Sequence, residues 1–238
     1  MSAGLQRWLP RKAAHEAVFL WALGFAALLL AFVTVTPTAK LVATLGYLYL
    51  PTISMRARGE DFVDYGLTLK HWRADLKLYA IMSALVFPLF VVGYLGFAQV
   101  MPLLPEQVVK VLTPYAAAPH FVARLPDRFV EHLIDDFFVV ALCEEFFYRG
   151  FLQARLRDAW PQGRIFLGVR LGPAFWVTAV LFALGHLAIF QVWRLGVFFP
   201  ALLFGYMRER TGSIVGAAAF HASSNLLVLM LDAAFFGR

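Results

Sequence analysis

Three charged residues interrupt an otherwise apolar run, FFVVALCEEFFYRGF, at Glu144, Glu145 and Arg149. An ionised side chain at mid-bilayer costs roughly 2.5 to 3.5 kcal/mol on insertion scales, so each needs a partner or a task. On a helix Glu145 and Arg149 stand four residues apart and share a face, with the acid N-terminal to the base, the more favourable order for an ion pair. Glu144 sits about 100° away around the helix axis. This geometry makes Glu145 and Arg149 a clamp and leaves Glu144 for proton chemistry in a partly desolvated pocket. A purely structural polar knot is the competing account, because buried ion networks arise without catalysis.

Two further apolar stretches carry polar groups. In VLFALGHLAIF, His186 is the only ionisable residue between Arg170 and Arg194. A lone histidine in such a helix is more often a hydrogen-bonded packing residue than a catalyst. In AAAFHASSNLL, His221 and Asn225 lie four apart and face the same way. The adjacent Ser223 and Ser224 are ordinary in membrane helices, where serine bonds back to its own backbone. Together the three stretches supply the parts of a water-activating hydrolase. A carboxylate and an imidazole would hold and deprotonate water, and an imidazole with an amide would donate to the oxyanion.

The elements that must position these residues are membrane helices. Of 238 residues, 61% are hydrophobic and 15% charged, with 24 phenylalanines, a composition far from that of a soluble domain. The expected fold is an all-α, polytopic transmembrane bundle, a single integral membrane domain over 1–238 with its motif-bearing core at 131–232. About seven spans are expected, at 17–35, 40–55, 76–101, 131–152, 173–191, 195–207 and 213–232. The basic start with Arg7, Arg11 and Lys12 precedes an apolar run too long for a cleaved signal, so the first span is read as retained. RARGEDFVDYGLTLKHWRADLK fits an amphipathic interfacial segment, and the Pro-rich connection that follows the third span has room for a short helix. The net charge of +6 belongs to loops that set orientation and argues against nucleic acid as a partner. With seven spans, 14 of the 21 Lys and Arg residues fall on the N-terminal side, 6 including Arg238 fall opposite, and Arg149 lies within a span, which predicts N-in, C-out. One cysteine, Cys143, excludes an internal disulfide and a CxxC metal site.

Glu144-Glu145-x-x-x-Arg149-Gly150, then Phe182-x-x-x-His186, then GYMRERTGSIVGAAAFHASSN with His221-x-x-x-Asn225 together resemble the CPBP family of intramembrane proteases. That group contains the type II CAAX prenyl endopeptidases and the bacterial Abi-type proteins. The resemblance implies a glutamic-type endopeptidase with no obligatory cofactor. Glu144 and His186 would activate the attacking water, His221 and Asn225 would stabilise the oxyanion, and Glu145 and Arg149 would support the site. The implied partners are a membrane-associated protein or peptide substrate and the lipid bilayer, in the inner (cytoplasmic) membrane. An Arg- and Ala-rich, Lys-poor composition points to a bacterial source and favours a sorting-type, myxosortase-like role that removes a C-terminal anchor. Tyr148, where many relatives have Phe, stands four residues from Glu144 and within reach of its carboxylate.

Three other readings stay open on the sequence. Glu144, His186 and His221 would suit a His2Glu zinc site with an open position, although no HExxH accompanies them. Cys143 as nucleophile is disfavoured by the carboxylate beside it. A proton-coupled transporter would also use intramembrane Glu and His, but the repeats expected of one are not found.

Overall fold

A computed structural model describes residues 12–35, 38–112 and 120–237; Arg7, Arg11 and Arg238 of the charge count lie outside them. Lipid offers no partner for an open backbone, and the described chain is almost wholly helical, an all-α polytopic protein as the sequence predicts. Helix α1 spans Ala13–Thr34, α2 Ala39–Arg58, α3 Trp72–Val100 and α4 Glu106–Leu112. Helix α5 runs without a break through residues 129–159. Then come α6 (Pro173–Gly185), α7 (Phe198–Thr211) and α8 (Val215–Phe236). A small antiparallel hairpin, β1 (Arg164–Phe166) with β2 (Val169–Leu171), links α5 to α6, and sequence patterning does not anticipate it.

Among the described residues, three helices are long and apolar enough to cross a membrane: α1, α3 with its 3₁₀ extension to Leu103, and α8. They leave Leu30, Val33, Leu85, Leu89 and Val92 exposed, an apolar belt that a water-facing surface would not carry. The protein is therefore an integral membrane protein. The remaining expected spans fall outside that criterion of length and hydropathy for identifiable reasons. Helix α2 holds Pro51 and ends on Arg56 and Arg58, α5 carries the charged motif, and the apolar Pro173–Ile189 segment is shorter. Helix α7 ends in Arg208-Glu209-Arg210.

The segment after α2 departs from expectation. Instead of an amphipathic interfacial helix it forms a 3₁₀ turn, Phe62–Tyr65, with Asp61 capping its start. Gly66 follows at φ 82, and a Cβ there would lie 2.8 Å from Arg208 Cζ. The segment also packs against the corner between α7 and α8. The Gly66 carbonyl accepts from Ile214 N at 2.9 Å and the Thr68 carbonyl from Ser213 Oγ at 3.1 Å.

Helix α5 is the centre of the molecule. Its Phe147, Phe151, Leu152 and Leu156 are fully buried, packed by α1, α2, α6, α7 and α8. A buried acid, Glu16 of α1, fastens the end of this assembly. Its carboxylate accepts from Ser54 and Arg58 of α2 and, at 2.7 and 3.0 Å, from Arg155 of α5.

Candidate active site

Helix α5 is not a uniform α-helix. Asp135–Ala141 and Phe146–Leu152 are π-helical, separated by the α-turn Leu142–Glu145. Such segments are rare and concentrate at functional sites, because an i→i+5 ladder re-aims side chains that an α-helix would place elsewhere. Here the motif glutamates lie between the two π segments.

The i,i+4 pair predicted from spacing is present. Arg149 Nη1 donates to Glu145 Oε1 at 3.0 Å, and both side chains are fully buried. Arg149 Nη2 also donates to the Ala201 carbonyl of α7 at 3.2 Å. Its guanidinium carbon lies 4.2 Å from the ring centre of Phe182 and 5.1 Å from that of Phe204. Cation–π contacts of this kind compensate lost hydration. Sequence reasoning could not find Ala201 or Phe204, because their connection to Arg149 exists only once α7 packs on α5.

Glu145 has a second partner that the spacing does not reveal. Its Oε1 is also 2.9 Å from His221 Nδ1. The Nδ1 atom must carry the proton in that contact if Glu145 is ionised, since a carboxylate only accepts. The His221 ring stacks on Phe204, with centroids 4.6 Å apart and planes 16° apart. His221 reaches this position because the RTGSI stretch makes the corner between α7 and α8. Gly212 ends α7, the Thr211 hydroxyl accepts from Ser213 N at 3.2 Å, and Ser213 Oγ accepts from Val215 N at 3.1 Å. Ser213 thereby satisfies a free N–H at the start of α8. The motif's Ser sets where the helix bearing His221 and Asn225 begins.

His186 opens a 3₁₀ turn, His186–Ile189, directly after α6. Its Nδ1 lies 2.9 Å from the Phe182 carbonyl. A carbonyl cannot donate, so this nitrogen bears hydrogen and the neutral ring presents a lone pair at Nε2. Phe182 gathers the cluster: its ring centre is 4.7 Å from His186, 6.0 Å from His221 and 5.0 Å from Tyr148. Glu144 stands beside Glu145 on the same turn, and its buried Oε2 has no hydrogen-bond partner. Asn225, one turn beyond His221 on α8, is half-buried.

The structure thus brings Glu145, Arg149 and His221 into one bonded chain and sets Glu144 and His186 beside it. Among the described residues no three His, Cys, Asp or Glu side chains are grouped to hold a metal, so the His2Glu zinc set is not assembled. Cys143 is buried, with its thiol donating to the Phe138 carbonyl at 3.4 Å.

No curated protein matches the chain. No solved structure matches it either. Residues 128–227 match the family model described as type II CAAX prenyl endopeptidase Rce1-like. The match begins beside the start of α5 and ends two residues beyond Asn225, so it encloses every residue of the cluster just described. Over this stretch, 100 of the 238 residues, the chain is similar to the Rce1-like domain of the CPBP family.

Proposed function

We propose that the protein is a glutamic-type intramembrane endopeptidase. Water held by His186 Nε2 gives a proton to Glu144 as its oxygen attacks the scissile carbonyl carbon. The resulting oxyanion takes hydrogen bonds from His221 and Asn225, and Glu144 returns the proton to the departing amine as the C–N bond breaks. With Nδ1 of His221 facing Glu145, an oxyanion donor at Nε2 requires the imidazolium. The substrate is a membrane-associated protein or peptide, and the reaction removes a C-terminal sorting or anchor segment in the inner membrane, with the N-terminus inside.

The reading rests on one observation: Glu145 is committed to Arg149 and His221 while Glu144, next in sequence, keeps a buried, unpartnered carboxylate oxygen. The test is mass spectrometry of membrane-protein termini in cells carrying the wild type or Glu144→Gln. A terminus that appears only with the wild type, while the variant protein stays folded in the membrane, supports the base assignment and names the bond. Retained cleavage by Glu144→Gln sinks it.

A second reading follows from the Glu145–His221 bond. A neutral His221 with its proton on Nδ1 presents Nε2 as a base, oriented by Glu145 as a carboxylate orients a catalytic histidine. Under that reading His221→Asn abolishes cleavage and Glu144→Gln leaves it in place.

A further inference from the structure

Tyr47 of α2 and Tyr148 of α5 bury their hydroxyls against each other, with the oxygens 3.4 Å apart. Both rings are nearly inaccessible, 9% and 1% exposed. Each is fixed by aromatic contacts: Tyr47 against Phe147 at 5.1 Å and Tyr148 at 5.5 Å, and Tyr148 against Phe182 at 5.0 Å. The Tyr148 oxygen is wedged against the backbone that leads into His186, since a Cβ on Gly185 would lie 2.5 Å from it. Packing alone would be served as well by phenylalanine. A buried hydroxyl is costly unless its proton finds an acceptor.

A count of donors and acceptors shows what is missing. Two phenols carry two protons, and the contact between their oxygens uses one. Glu144 stands four residues before Tyr148 on α5, on the turn Leu142–Glu145 against which α2 packs, and its Oε2 is buried and has no hydrogen-bond partner. One proton seeks an acceptor where one carboxylate oxygen lacks a donor. We infer that the Tyr47–Tyr148 pair donates a hydrogen bond to Glu144 through one water, making Tyr47 a positioning residue for a site otherwise built from residues 128–227. The role depends on the proposed function of Glu144 as base. It gives α2, outside the family match, a part in the site: the bond fixes the rotamer of the Glu144 carboxylate.

The test uses infrared difference spectroscopy on the full-length, detergent-solubilised protein. The Glu144 carboxylate band is identified by its loss in Glu144→Gln and followed in Tyr47→Phe and Tyr148→Phe. A shift of that band in both variants is the expected result. A band unmoved in folded Tyr47→Phe and Tyr148→Phe protein overturns the inference. A reciprocal measurement needs neither Phe variant: with ring-labelled tyrosine, the phenol C–O band should move between the wild type and Glu144→Gln, and an unmoved band again overturns the inference. Neither spectrum depends on turnover, so a failure of the base assignment, read from cleavage by Glu144→Gln, is separable from a failure of the hydrogen bond. On the substrate found from shifted termini, both Phe variants should lower kcat several-fold with KM unchanged.

Discussion

Glu145 Oε1 accepts from two elements at once, Arg149 of its own helix at 3.0 Å and His221 of α8 at 2.9 Å. One oxygen therefore couples the integrity of α5 to the position of a histidine 76 residues away. All three side chains are buried, so the pair is held by what its removal would strand.

Arg149→Met should be more damaging than its volume change suggests, because it leaves Glu145 charged in an apolar interior. Breaking one partner of a buried pair costs about 3 to 5 kcal/mol. The same double change at both positions, Glu145→Gln with Arg149→Met, should recover part of that loss. Thermal unfolding in detergent of the two single variants and the double variant measures it; additive losses would contradict a bonded pair.

Ser213→Ala removes the side chain that accepts Val215 N and donates to the Thr68 carbonyl. Loss of such a hydrogen bond costs about 1 kcal/mol. Because the corner sets the start of α8, cleavage should fall further than this loss of stability accounts for. Activity assayed well below the unfolding temperature, where the protein stays folded, separates the two effects.

Gly185→Ala places a methyl group 2.5 Å from the Tyr148 hydroxyl. Overpacking of this kind costs about 1 to 3 kcal/mol, and here it must move either the phenol or the turn that begins at His186. A lowered unfolding temperature is expected, and Gly185→Ala combined with Tyr148→Phe should regain part of it.

Outside the membrane helices, Glu60 gives the protein an acid-sensitive contact. Burial alone would raise its carboxyl, but bonds from Arg58 and Tyr65 outweigh that and hold it below the ordinary glutamate range. A carboxylate depressed in the folded state contributes stability that is fully present above its unfolded value of about 4.3 and is lost as pH falls through the lower folded value. Unfolding midpoints of the wild type should drop more steeply below about pH 4.3 than those of Glu60→Gln. Parallel curves would contradict this account.

Relations within a single helix were readable without any structure. The i,i+4 spacing predicted the Glu145–Arg149 pair, and the bond is present although π-helical turns lie on either side of the glutamates. The apolar windows at 17–35, 76–101 and 213–232 correspond to α1, α3 and α8, because length and hydropathy are properties of a segment taken alone. The sequence also marked Glu144, His186, His221 and Asn225 as the polar residues that lipid-facing helices would not carry without cause.

Relations between helices were not readable, because they depend on the rotation and depth at which each helix packs. The spacing of His221 and Asn225 says nothing of a partner for His221; the depth of α8, set by the Thr211–Ser213 corner and the Gly66 loop, brings its Nδ1 onto Glu145. Tyr47 carries no mark in the sequence that separates it from other aromatic residues of an apolar helix; only the packing of α2 on α5 puts its hydroxyl beside Tyr148. Periodicity along one chain segment fixes which residue types share a face. Which face meets which partner is decided by close packing across the whole bundle.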